Sequence, residues 1–237
     1  MEWRDFFQTY RLVDVSNDSD LLYQVGASVN GKPISTVQFT AMINDIETKL
    51  ELKQDDVVID LCCGNGVLTF EIAKHVQRVI GIDGSAAYIK NAQKFKNSRN
   101  IKYILSDITD FDNIKRQLDN TACTKVLFYA SLAYFEPAQL IQILQFINCV
   151  SAAECSVLIG SILDKSSKFK YFNTIKRRFH YFVNYVILRK DLGLGRWWSK
   201  KELKRIACMC NYYIDFTNQD KLLHTAHYRY DILLKKK

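Results

Sequence analysis

The chain has 237 residues, 48% of them hydrophobic and 24% charged, a composition that supports a substantial core and excludes an intrinsically disordered chain. Its net charge of +8 is uneven: residues 1–163 carry 15 Lys/Arg against 19 Asp/Glu, and residues 164–237 carry 18 against 6. Seven cysteines show neither a C-x-x-C repeat nor a Cys/His ligand spacing, and no uncharged apolar run reaches the ~18 residues that a membrane span needs, so a cytoplasmic protein with free thiols, no metal and no span is expected.

In chain order, Pro33 precedes a capping box, Ser35 with Gln38, which predicts a helix through about Leu50 with Phe39, Met42, Ile43 and Ile46 on one face. From residue 57 short β-rich runs alternate with helical stretches, and the strand candidates are 57–61, 79–83, 101–106, 125–130 and 155–161. That alternation predicts an α/β fold, a doubly wound, Rossmann-like and mainly parallel sheet with helices on both faces. Residues 165–198 then read as a basic helical aromatic insertion or lid, with Phe169, Tyr171, Phe172, Phe179, Tyr181, Phe182 and Tyr185. Ser199 and Glu202 form a second capping box for a helix to about Met209, and runs 212–217 and 228–234 alternate as a closing antiparallel strand pair. The expected organisation is an N-terminal cap and helix over 1–56, a ligand-binding core over 57–164, the insertion over 165–198, and the last helix with the strand pair over 199–237.

The run Val57-Val58-Ile59-Asp60-Leu61-Cys62-Cys63-Gly64-Asn65-Gly66 is an apolar strand ending in a carboxylate and a glycine turn, where a ligand approaches backbone closely. A hydride-transfer dinucleotide site prefers a third glycine where Thr69 stands, and Asp60 repels a pyrophosphate but attracts an ammonium. The second strand ends at Asp83-Gly84-Ser85, an acid placed to accept hydrogen bonds from ribose hydroxyls, and the third at Asp107-Ile108, an acid and an apolar residue suited to an adenine. Any one of these acids alone reads equally well as a helix cap. Together they describe an adenosine with an amino-acid tail.

On these residues, 57–161 resembles the class I S-adenosylmethionine-dependent methyltransferases. The resemblance implies that the Asp60 to Gly66 loop, with Leu61 and Cys62, holds the methionine end of S-adenosylmethionine, Asp83 with Gly84 and Ser85 the ribose, and Asp107 with Ile108 the adenine. It implies also that Tyr129, Ala130 and Ser131 form the floor near the methyl group. Cys62 stands where the family usually has a glycine, and a positive φ there costs about 1 kcal/mol or more. Val25-Gly26, the stretch Asn30 to Ser35, Arg196-Trp197-Trp198-Ser199 and His224 to Arg229 further resemble a branch of bacterial surface-polysaccharide and modified-sugar pathways, which implies O-methylation of a glycan precursor.

A sugar hydroxyl needs a base, and His224 and His227 are the candidates, ahead of His75 and His180, because their loop reaches the carboxyl edge of the sheet. Tyr134, Lys32, Arg196, Trp197, Tyr228 and Arg229 are the candidate acceptor contacts, for a small polar or anionic partner. Nucleic acid is the first rival partner because basic and aromatic residues interleave over 168–205, yet there is no Asp/Asn-Pro-Pro-aromatic loop after strand four and no Pro-Cys nucleophile. A non-catalytic module docking through the segment 179–188 is the second rival. The oligomeric state is left open.

Overall fold

The computed structural model describes residues 14–119, 121–183 and 195–237, apart from the side chains of Arg177 and His180. Helix α1 (Asp18–Gln24) opens with a capping box on Asn17 and is followed by a small hairpin, β1 (Ser28–Val29) and β2 (Lys32–Pro33). Helix α2 (Thr36–Leu50) starts at the predicted box: Ser35 Oγ accepts from Gln38 N at 3.3 Å, and Gln38 Oε1 accepts from Ser35 N at 3.2 Å. It ends where Glu51 adopts a left-handed conformation, φ 50°.

The core then alternates as β3 (Val57–Leu61), α3 (Val67–Ile72), β4 (Arg78–Asp83), α4 (Ala86–Phe95), β5 (Ile101–Leu105), α5 (Phe111–Leu118), β6 (Cys123–Tyr129), α6 (Pro137–Val150) and β7 (Ser151–Leu163). The short helices α7 (Lys168–Tyr171) and α8 (Ile175–Tyr181) follow, then α9 (Lys200–Met209), β8 (Tyr212–Asn218) and β9 (Arg229–Lys236). The seven-stranded sheet runs β5-β4-β3-β6-β7-β9-β8, parallel through β7 and antiparallel beyond. Helices α5, α6 and α9 bury Ile114, Leu144 and Leu203 on one face, while α2 and α3 bury Ile46, Leu50 and Ile72 on the other.

The predicted doubly wound sheet and closing strand pair are therefore present, with shifted bounds. Strand β7 runs from Ser151 rather than residue 155, because its exposed start, including Ala153 and Glu154, lacks the apolar signal that marks a strand. β9 begins one residue later than expected: Tyr228 belongs to the preceding turn, where its N–H donates to Thr225 O at 3.0 Å. In the insertion, residues 184–194, including Tyr185, lie outside the described residues. Its described part packs Phe172 against Trp197, Tyr228 and Leu163, with Tyr171 alongside.

Three central strands end in the same unusual way. Cys62 after β3, Ala130 after β6 and Ser161 near the end of β7 have φ of 58°, 56° and 60° without being glycine. A left-handed non-glycine residue costs roughly 1–2 kcal/mol, and such residues gather where a site demands them. All three lie at the carboxyl edge of the parallel sheet, where ligands bind in open α/β folds.

Candidate active site

Asp60 lies in β3 with only 3% of its surface exposed, because the strand carries its alternate side chains into two covered faces. Its Oδ2 accepts from Thr69 Oγ1 at 2.6 Å. Burial raises its carboxyl to about 7, Thr69 opposes the shift, and the charge of Asp83 adds to it. Leu61 is buried in the core beside it. Burial also raises the Cys62 thiol, which keeps it neutral at physiological pH.

Asp83 ties the first two strand ends together. Its Oδ2 accepts from Gly64 N at 2.9 Å and its Oδ1 from Ser85 N at 2.8 Å, which leaves further lone pairs on both oxygens for hydroxyl donors. Burial raises its pKa against the pull of those two N–H groups. Ser85 caps α4, and a Cβ on the exposed Gly84 would meet only ordinary contacts. At the end of β5, Asp107 Oδ1 accepts from Thr109 N at 2.8 Å and Thr109 Oγ1 at 2.6 Å, with Ile108 buried next to it.

The two loop glycines are required by close neighbours as well as by their backbone. Gly66, at φ 75°, would put a Cβ 2.3 Å from Tyr103 Oη, and Gly64, at φ 58°, would put one 2.9 Å from Val25 Cγ1. Val25 belongs to a cover that sequence reasoning missed. Asn65 Nδ2 donates to Leu21 O at 2.8 Å and Gln24 Oε1 at 2.9 Å, Asn91 Nδ2 donates to the same Gln24 oxygen at 3.1 Å, and Tyr88 Oη donates to Gln24 O at 3.2 Å. Helix α1 is thereby latched to the glycine loop. The capping pair Asn17 and Asp20 marks a helix start there, but no local pattern marks its partner.

The other side of the edge starts at β6. The Tyr129 ring lies over Gly160, where a Cβ would sit 2.2 Å from a ring carbon, and Ser131 Oγ donates to Tyr129 O at 3.0 Å. Gln219 Nε2 donates to Tyr129 Oη at 3.1 Å, and Thr225 Oγ1 donates to Gln219 Oε1 at 2.8 Å. The loop 219–228 is thus moored to the end of β6, and Gln38 Nε2 holds it from α2 through Leu222 O at 3.2 Å. Within it His224 is half-buried, its pKa lowered by burial and then by Arg229 and His227, whereas His227 is exposed against the Tyr228 ring.

The remaining candidates fall into distinct places. Arg229 Nη1 donates to Ser161 O at 2.9 Å and Ser161 Oγ at 3.0 Å. Trp197 and Tyr228 are buried together with ring centroids 6.4 Å apart, Tyr134 is half-buried in the short turn after β6, and Lys32 is exposed on β2. Arg196 is engaged by Glu136 Oε2 at 2.9 Å and Glu202 Oε1 at 2.7 Å and lies over the Trp198 ring. Among the described residues no His, Cys, Asp or Glu group of metal-binding arrangement is present, and no helix is long and apolar enough to cross a membrane.

Residues 58–151 match the Methyltransferase domain family. A 23S rRNA (uracil(1939)-C(5))-methyltransferase of Legionella pneumophila strain Corby is 33% identical over 107 residues, covering 44% of this chain and 22% of that protein; a Francisella tularensis subsp. novicida enzyme of the same name is 32% identical over 103. The chain thus spans about a fifth of the length of these relatives. The magnesium protoporphyrin IX methyltransferase of Synechocystis PCC 6803 with bound SAH superposes with a TM-score of 0.63 at 12% identity, over 99% of this chain and 98% of that one. A SAM-dependent methyltransferase of Methanosarcina mazei gives 0.59 at 17% identity, over 81% and 96%. Residues 58–151 of this chain thus match a methyltransferase domain model, on a fold that the chain shares with these methyltransferases.

Proposed function

We propose that the chain O-methylates a small polar or anionic acceptor, of the sugar, nucleotide-sugar or phosphate/phosphoramidate type that serves as a precursor of a bacterial surface polysaccharide. The observation that supports this reading is the mooring of the His224 loop to Tyr129, at the end of β6, through Gln219 and Thr225. Its lowered pKa keeps that imidazole neutral near pH 7, the form that accepts a proton.

The acidic side of the edge fits the cofactor. A buried Asp60 poised near 7 is ready to ionise beside an ammonium, and Asp83 offers lone pairs to a diol. S-adenosylmethionine, when bound, supplies the electrophilic methyl carbon. The chain's own residues hold the acceptor in line with it, a contribution of up to ~7–11 kcal/mol, and His224 takes the hydroxyl proton as the oxygen acquires the methyl group. The aromatic cluster of Trp197, Tyr228 and Phe172 limits water at this side.

A second reading, an RNA acceptor, is favoured by the names of the curated relatives and by the basic C-terminal third. One screen separates the two: methyl transfer from labelled S-adenosylmethionine to nucleotide sugars, sugar phosphates, small phosphorylated compounds and RNA, with products identified by mass spectrometry. Transfer to a small acceptor is expected. Transfer to RNA alone would replace the first reading with the second.

A further inference from the structure

Arg196 and Arg229, two arginines among the described residues near the carboxyl edge, are treated differently by the protein. Arg196 is neutralised by two carboxylates, Glu136 and Glu202. Arg229 is half-buried and, among the described residues, has no carboxylate within ion-pair distance; its Nη1 donates to the backbone and hydroxyl oxygens of Ser161, its guanidinium lies 5.6 Å from the Tyr228 ring centroid, and its Nε, like that of Arg196, is buried without a hydrogen-bond partner. A guanidinium carries five N–H donors in a rigid fork, so this one keeps donor capacity beyond Ser161, and no carboxylate of the described residues offsets its charge.

The carboxylates of Asp231 and Asp45 are committed to Lys49. Asp231, two residues along the same face of β9 and fully buried, accepts from Lys49 Nζ at 2.6 Å with one oxygen and from Ser161 N at 2.7 Å with the other. Asp45 is bound to the same Lys49 at 2.6 Å. Ser161, at φ 60°, marks a register irregularity of β7 against β9, and it is clamped by Asp231 on its N–H and by Arg229 on its carbonyl and hydroxyl. The clamp lies directly beside the end of β6: Ala130 N donates to Gly160 O at 3.0 Å. A buttressed, left-handed corner thus fixes a half-buried cation one strand from the expected methyl-transfer floor, at the end of the loop that carries His224.

We infer that Arg229 is the anchor for an oxyanion on the acceptor, a phosphate or carboxylate that binds the guanidinium while the neighbouring hydroxyl meets His224. The inference rests on the methyl-transfer reading above and narrows its acceptor to an anionic one. Asp231 and Lys49 act as positioning residues that hold the Ser161 corner to which the arginine is fixed.

The test uses the full chain saturated with S-adenosylhomocysteine, with inorganic phosphate and acetate as separate probes in calorimetry. Saturable binding of at least one ion is expected, and the two arms tell a phosphate site from a carboxylate site. Charge-assisted hydrogen bonds of the usual strength predict at least a tenfold loss of affinity in Arg229→Gln. Arg229→Lys keeps the charge but not the fork and is expected to lose several-fold, while Lys204→Gln, which removes an exposed charge on α9, should bind like the parent. Cofactor affinity measured on every variant keeps this question apart from the broader one, since loss of the anion with intact cofactor binding concerns Arg229 alone. Absence of saturable binding of either ion, or undiminished affinity in folded Arg229→Gln, overturns the inference. If Arg229→Gln fails to fold, undiminished affinity in Arg229→Lys overturns it equally.

Discussion

The carboxyl edge of the sheet divides between β3 and β6 into two differently built halves. On the acidic half, β3, β4 and β5 each contribute a carboxylate, and most contacts of these carboxylates are short in sequence: Asp107 to Thr109 and Asp83 to Ser85 span two residues, Asp60 to Thr69 nine and Asp83 to Gly64 nineteen. On the other half, Gln219 reaches Tyr129 across 90 residues and Arg229 reaches Ser161 across 68. The acidic half is a set of strand-to-helix turns whose carboxylates are held locally, with helix α1 latched over the glycine loop through Asn65. The basic half exists only when β9 closes the sheet, so its chemistry is set by tertiary contacts and can differ between proteins that share the first half.

The largest effect that would break this comparison lies on the basic half. Replacing His224 with alanine is expected to lower the single-turnover methyl-transfer rate on a hydroxyl acceptor by roughly 10²–10⁴-fold, the usual size of a general-base contribution. Cofactor affinity should stay unchanged. His227→Ala, on the exposed side of the same loop, should cost far less. Equal, small losses in both variants, with chemistry flat in pH, would remove histidine base catalysis and favour an acceptor oxygen that is already anionic.

A smaller effect is expected on the acidic half. Asp83→Ala removes both the acceptor for a ribose diol and the tie between Gly64 and Ser85, and should weaken S-adenosylhomocysteine binding by at least tenfold, about 1.4 kcal/mol. Calorimetry on the folded variant checks this. Unchanged affinity would reject the ribose assignment, and with it the division of labour between the halves.

The distinction between local and distant contacts, within both halves, decides what could be read in the sequence. The strand ends at Asp60, Asp83 and Asp107, the Ser35 and Ser199 caps and the closing strand pair are local patterns of periodicity and capping, and they are present in the structure at or within a few residues of where the sequence puts them. The positive φ of Cys62 follows from its place in the glycine turn. What stayed hidden depends on distant partners. Nothing near Gly66 indicates that Tyr103 fills the space a side chain would need, and nothing near Asn65 indicates Gln24. Arg196 and Arg229 look alike as sequence, and the carboxylates of Glu136 and Glu202, 60 and 6 residues away from Arg196, separate a neutralised cation from one with no carboxylate partner among the described residues. Thr69 was legible only as a missing third glycine, although its hydroxyl holds the buried Asp60.

The smallest expected effect sharpens the acidic half through its protons. Asp60 has a folded-state pKa raised from 3.8 to about 7, so the folded protein holds a proton there that the unfolded chain releases. The stability linked to that proton is complete below about 3.8 and is lost as pH rises through about 7. A cationic amino-acid ligand reverses the preference, since it favours the carboxylate and binding below pH 7 must expel the proton. Affinity for S-adenosylhomocysteine should therefore fall by about tenfold between pH 8 and pH 6 and should level off above pH 8, which is one proton's worth of linkage. Calorimetry in buffers of different ionisation enthalpy should show proton release that grows as pH drops. Thr69→Val removes the hydrogen bond that opposes the shift, so it should move the transition to higher pH. Asp60→Asn should flatten the dependence while weakening binding at pH 8. A pH-flat affinity in the parent protein, with no proton release, would mean that Asp60 does not face the cofactor's charge and serves only to hold the β3 turn through Thr69.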